Sequence, residues 1–176
     1  PAANVLETSF NVNGAMLHPI PTIMNLNKMD LGETYDYYME GITPHIADLI
    51  AACDQEKVAV CRAMGVNSAS LMDSLIETYK LTPGKNLYSL IQGIEPYRGL
   101  KNPTVVTHRF LVEDTMSGLV PLSSIGKLLN VETPIMDAFI NLANVICKRD
   151  FKAEGRTAEK LGFAGKSPQE IHEMVR

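Results

Sequence analysis

His18, Arg109 and Asp114 are the residues of this chain whose types could serve one reaction together. A histidine takes or gives a proton near neutral pH, an aspartate can orient the imidazole, and an arginine grips a carboxylate with two parallel hydrogen bonds. Such a set suits proton transfer beside a substrate that carries a carboxylate. Each member also has an ordinary reading. An isolated histidine next to proline, as His18 is to Pro19, is commonly structural. Arg109 and Asp114 are five residues apart, which on a regular helix leaves them roughly 140° apart around the axis. They face one pocket only if the chain bends or a helix begins between them. Otherwise Arg109 is a surface charge, and Glu113 with Asp114 is an acidic first turn favoured by the helix dipole. Composition does not bring the three together in space.

The elements that must position these residues read as helices. The opening stretch, rich in Asn, Gly and Pro, predicts a turn-rich entry into a short helix around Pro19 and Pro21, whose missing N–H groups are not needed in a first turn. His18 then stands just before a helix N-terminus, where the dipole favours neutral imidazole. The clearest element spans residues 43 to 65, with Thr43 as N-cap, Pro44 at the first helical position and Gly65 as the stop. Ile46, Leu49, Ile50, Cys53, Val60, Cys61 and Met64 recur along it at helical spacing, and His45 is an ordinary helix-end residue. A second helix is expected from Ser68 to Tyr79, capped by Asn67 or Ser68. VVTHRFLVE has local β character without an evident partner, so loop or the lead-in to a helix is expected. Pro121 followed by LSSIGKLL predicts a helix ending near Asn130. Thr133 with Pro134 starts another, with Ile135, Phe139, Leu142, Ala143 and Ile146 along one side. A short helix in GRTAEKLGF and a capping box of Ser167, Pro168 and Glu170 close the reading. The class is all-α, with about six to eight helices.

Composition removes several functions. With 176 residues and 45% hydrophobic content the chain builds one core, hence one domain over residues 1–176. Its net charge of -4, with the signs mixed, argues against nucleic acid or an anionic membrane as partner. No apolar run approaches a membrane span and no secretory signal is visible, so a cytoplasmic location follows by default. The four histidines are too scattered for a metal site, and HExxH, GxSxG and phosphate-loop motifs are absent. Cys53, Cys61 and Cys147 form no C-x-x-C pair and read as reduced thiols. Pro1 in place of Met suggests processing, design or domain excision, and no glycine-rich nucleotide loop follows it.

Several ordered pieces, taken together, are specific. NVNGAMLHP at 11–19, ITPHIADLIAACDQEKVAVCRAMGV at 42–66, HRFLVEDTMSGLVPLSSIGKLLNVETPIMDAFI at 108–140 and DFKAEGRTAEKLGF at 150–163 resemble the C-terminal domain of the octopine/nopaline/opine dehydrogenase family. The family's Arg, four residues, Asp, then Gly-Leu-Val-Pro is present as Arg109, Asp114 and Gly118 to Pro121.

The resemblance implies a helical substrate-binding domain, similar to the C-terminal domain of 6-phosphogluconate dehydrogenase-like enzymes, that closes over an N-terminal nucleotide-binding domain. It implies reductive condensation of an amino acid with a 2-oxo acid such as pyruvate, using NAD or NADP in the full-length enzyme, with no cofactor expected on this chain alone. Carried over by residue, His18 is the acid/base group, Asp114 its orienting partner, Arg109 a carboxylate anchor, and Asn13 and Asn11 cleft-lining residues. It leaves open a related NAD(P)-dependent 2-oxo acid reductase, a non-catalytic helical interaction or dimerisation domain, and assembly into a homodimer.

Overall fold

Twelve α-helical segments succeed one another among the described residues of the computed structural model, which are residue 2 and residues 4–175. They are α1 (Val5–Phe10), α2 (Asn13–Leu17), α3 (Pro19–Met24), α4 (Leu26–Asp30), α5 (Pro44–Met64), α6 (Leu71–Tyr79), α7 (Leu87–Gln92), α8 (Arg109–Asp114), α9 (Val120–Leu128), α10 (Pro134–Cys147), α11 (Phe151–Glu154) and α12 (Pro168–Met174). Pro1 lies outside the described residues. The count exceeds the expected six to eight because several segments are only four to six residues long. Helices that short are marginal alone and persist here through packing.

The long helix α5 is the spine. It opens at Thr43 and Pro44 and stops at Gly65, whose φ of 74° is the left-handed value a glycine takes without penalty. Ile46, Ile50, Cys53, Val60, Cys61 and Met64 are buried as the spacing requires, and the Ile, Val and Met side chains among them each contribute roughly 1.5–3 kcal/mol on burial. Two charges share that interior. Lys57, fully buried, places Nζ 2.7 Å from Asp54 Oδ1 and donates to the Ala69 carbonyl, while Asp54 Oδ2 accepts from Leu71 N at 2.7 Å.

That buried pair moves the start of α6. Ala69 and Leu71 are tied to α5, so the helix begins at Leu71, and Ser70 is the cap, accepting from Asp73 N. Ser68, one of the two expected caps, donates instead to Asn11 Oδ1.

Three further expectations shift. The opening stretch is nearly continuous short helix, α1 to α4, with Asn4 capping α1. The helix expected at Pro121 is α9, with Pro121 in its first turn, but it is not a separate element: α8, a π-helical turn over Thr115–Leu119 and α9 form one unbroken rod. On α10 the buried residues are Met136, Phe139, Ile140 and Ala143, whereas Leu142 faces outward. Glu56 on α5 caps α10, accepting from Ile135 N at 2.7 Å and Met136 N at 2.9 Å, which Thr133 does not do with its side chain.

The short helix expected in GRTAEKLGF lies upstream as α11, capped by Asp150, and residues 158–162 form turns. The helix ends at Gly155, which turns extended and packs too closely on Val120 and the carbonyls of Phe151 and Met116 to admit a Cβ. The capping box of Ser167 and Glu170 forms as read. Among the described residues no helix is long and apolar enough to cross a membrane.

Candidate active site

Proline at position 19 separates α2 from α3 at His18. His18 ends α2 and precedes α3, and its carbonyl accepts from Thr22 N at 3.1 Å and from the Tyr37 hydroxyl at 2.7 Å. Tyr37 is fully buried and also shares a hydrogen bond with Thr22 Oγ1. The backbone at His18 is therefore held from two directions.

Its ring is held at both nitrogens. His18 Nδ1 lies 2.8 Å from Asp114 Oδ2, and Nε2 lies 2.9 Å from the Tyr38 hydroxyl. A carboxylate only accepts, so the proton between His18 and Asp114 belongs to Nδ1. Phe110 stacks on the imidazole with centroids 4.0 Å apart and planes 11° from parallel. The His18 and Asp114 side chains keep 16% and 26% exposure, so the pair sits at a surface that a substrate can reach.

The rod carrying Asp114 changes register just past it. Val120 N donates to Thr115 O, five residues back, as a π-turn requires. The corresponding donor for the Met116 carbonyl would be residue 121, which is proline and has no N–H. Met116 O accepts instead from Arg156 N at 3.2 Å. Proline, π-turn and the connection to residue 156 thus form one arrangement, and it begins immediately after Asp114.

Arg109 and Asp114 bracket α8 at its first and last residues, so the bend falls after Asp114 and not between them. Arg109 is exposed, makes no ion pair among the described residues, and lies over the Phe110 ring at 5.6 Å. Its charge is felt at the Tyr38 hydroxyl and lowers the proton affinity of His108, which burial already lowers. The structure brings His18 and Asp114 together and leaves Arg109 at the rim. The two asparagines are engaged elsewhere: Asn13 donates to Ser74 Oγ at 2.8 Å, and Asn11 donates to the Glu7 carbonyl while accepting from Ser68.

Sequence reasoning missed Tyr38, Phe110 and Gly14. Tyr38 lies in a loop with no periodicity to mark it, and the contact that aligns its strand-like neighbours, a single antiparallel bridge between Asp36 and Lys101, is far apart in the chain. Asn102 secures that bridge, accepting from Tyr35 N and donating to the Glu33 and Pro103 carbonyls. Phe110, beside Arg109 in the sequence, was the one with a signal, since an aromatic at a helix start next to a candidate ligand residue can cover a ring. Burial pushes the Tyr38 hydroxyl up to about 12, so it is a neutral hydrogen-bonding group at physiological pH.

Two recesses lie away from this pair. A groove of about 890 Å³ runs between the end of α9 and the start of α10, and a mainly apolar cleft of about 340 Å³ lies under α1 and α12. Neither is lined by His18, Arg109 or Asp114. No strand among the described residues runs into a glycine-rich turn and helix, the arrangement that holds a dinucleotide's pyrophosphate on backbone N–H groups.

Residues 1–147 match the family described as NAD/NADP octopine/nopaline dehydrogenase, alpha-helical domain. The chain is 38% identical over 172 residues, 98% of its length, to an opine dehydrogenase of Arthrobacter sp. (strain 1C), and 23% identical over 92% of its length to a vitopine synthase of Allorhizobium ampelinum. It spans about half the length of these relatives, 48% and 45% respectively. Among solved structures it is similar in fold to octopine dehydrogenase in complex with NADH and agmatine, with a TM-score of 0.74 and 19% identity over 95% of this chain and 48% of the other. It is likewise similar to octopine dehydrogenase with NADH and L-arginine, with a TM-score of 0.68 and 20% identity over 86% of this chain and 45% of the other.

Proposed function

This chain belongs to the NAD/NADP octopine/nopaline dehydrogenase family, and from that premise we propose that it is the substrate-binding, acid/base part of an enzyme that reductively condenses an amino acid with a 2-oxo acid. The observation that carries the reading is the 2.8 Å contact of Asp114 Oδ2 with His18 Nδ1. It assigns the proton to Nδ1 and leaves Nε2 as the nitrogen able to exchange one with substrate. In the condensation, neutral His18 twice takes a proton from the amino nitrogen and passes it to the carbonyl oxygen, first giving the carbinolamine and then releasing that oxygen as water to leave the imine. Asp114 balances the charge that the imidazole carries while it holds each proton.

Arg109, exposed at the rim and without an ion pair among the described residues, is available to a substrate carboxylate. A guanidinium held against Phe110, whose ring covers His18, would bring that carboxylate beside the imidazole. NADH or NADPH, on this reading, is held by a nucleotide-binding domain that faces the exposed edge of His18 and Asp114. NADH is bound in the octopine dehydrogenase structures that share this fold.

The test is NAD(P)H oxidation by the intact protein with pyruvate and a panel of amino acids, in parallel with His18→Ala. Turnover that needs both substrates and disappears in His18→Ala is expected. Oxidation with the 2-oxo acid alone would instead assign a simple 2-oxo acid reductase, and full turnover in His18→Ala would remove the assignment of the acid/base role.

A further inference from the structure

The one ring nitrogen that His18 has free for proton exchange is not open. Nε2 meets the Tyr38 hydroxyl at 2.9 Å, and Phe110 covers a face of the ring. Tyr38 is not a swinging side chain. It is 6% exposed, stacks on Tyr97 with centroids 4.1 Å apart, and meets Tyr37 edge-on at 5.1 Å. Tyr79 in turn packs edge-on against Tyr97. Four aromatic rings therefore fix one hydroxyl against one nitrogen.

A hydroxyl can serve both protonation states of that nitrogen by turning its own O–H bond. Toward neutral imidazole it donates to the Nε2 lone pair. Toward imidazolium it accepts from Nε2–H, and the bond to the charged form is the stronger of the two. We propose that Tyr38 is a positioning residue for His18, holding Nε2 in line in both protonation states and favouring the charged one, so that substrate reaches the nitrogen by sharing this hydrogen bond. The proposal rests on the acid/base role assigned to His18 above. The other titratable or charged groups brought to bear on this ring and its partner hydroxyl are Asp114, Tyr37, Tyr79, Tyr97, His108 and Arg109.

The test follows the ring nitrogens of His18 by nitrogen-15 NMR through a pH titration of this chain, with Tyr38→Phe and Tyr97→Phe beside it. Phenylalanine at 38 keeps both ring contacts and loses only the hydroxyl. The expected result is a fall of about half a pH unit or more in the His18 midpoint in Tyr38→Phe, a roughly threefold or greater loss of proton affinity, with Tyr97→Phe unchanged. In the intact enzyme the same variant is expected to lose about tenfold in kcat, with KM for both substrates within about twofold.

An unchanged or raised midpoint in Tyr38→Phe overturns the proposal. Should that variant not fold, the unsubstituted chain decides: a Tyr38 hydroxyl proton with a cross-peak to His18 Hε1 supports the proposal, and a neutral ring protonated at Nε2, which has no lone pair there for the hydroxyl to meet, overturns it. His18→Ala in the same assay separates the two ideas. Turnover retained there removes the acid/base role, while the NMR comparison still judges the hydrogen bond.

Discussion

A Cβ placed on Gly14 would stand 3.0 Å from Asp114 Oδ1 and 3.4 Å from His18 Nδ1, so the bare backbone of α2 is what lets the carboxylate meet the ring. Gly14→Ala has two separable consequences. Alanine is the better helix residue by about 1 kcal/mol, so the melting temperature of this chain should hold or rise. The carboxylate must shift by a few tenths of an ångström, and misplacement of a reacting group is costly. We expect kcat in the intact enzyme to fall by roughly tenfold or more. Unchanged kcat would mean that Asp114 reaches His18 equally well from another rotamer.

Asp114→Asn tests the proton assignment. The side chain keeps its size, but an amide can donate to Nδ1 and so select the tautomer with the proton on Nε2, the wrong one for a base. Loss of about 10²-fold or more in kcat is expected, with a melting temperature close to that of the parent because the pair is partly exposed. Retention of more than half the activity would assign Asp114 to structure alone.

The fold was legible wherever a local signal coincided with packing. Thr43, Pro44 and Gly65 delimit α5, and Ser167 with Glu170 start α12, because caps and stops act within a few residues. Errors came where a distant group decides. Asp54 and Lys57 move the start of α6, and the register change past Asp114 answers to Arg156. His18 and Asp114 could be singled out by type and by family pattern, but their meeting is a contact across 96 positions of chain. Tyr38 carried no signal, since what makes it matter is a stack assembled from Tyr37, Tyr97 and Tyr79.

The buried pair on α5 yields a stability prediction independent of function. Lys57→Met leaves Asp54 buried with its Leu71 N contact but no counter-charge, which should cost about 3–5 kcal/mol in denaturant unfolding. Adding Asp54→Asn removes the orphaned charge and keeps an oxygen for Leu71 N, so the double variant should recover most of that loss. A double variant as unstable as Lys57→Met would show that the lysine acts through packing and not through charge.

The aromatic cluster around the site predicts how the fold fails in alkali. Burial raises the Tyr35 and Tyr38 hydroxyls from 10.0 to about 12 and pushes Tyr37 and Tyr97 up as well. A group whose proton is held more tightly in the folded state stabilises that state fully below its unfolded value. Its contribution is lost as pH rises through the folded value. Stability should therefore be flat up to about pH 10 and decline from there toward pH 12 as far as these tyrosines govern it. Phenolate absorbance and helical circular dichroism, followed together, should show these four of the six tyrosines ionising late and in step with unfolding. Tyr38→Phe should make that decline shallower, because it removes one of the protons the folded state retains. If all six ionised near pH 10 with the helical signal intact, the cluster would be open to water, and the fixed hydroxyl on which His18 leans would lose its physical basis.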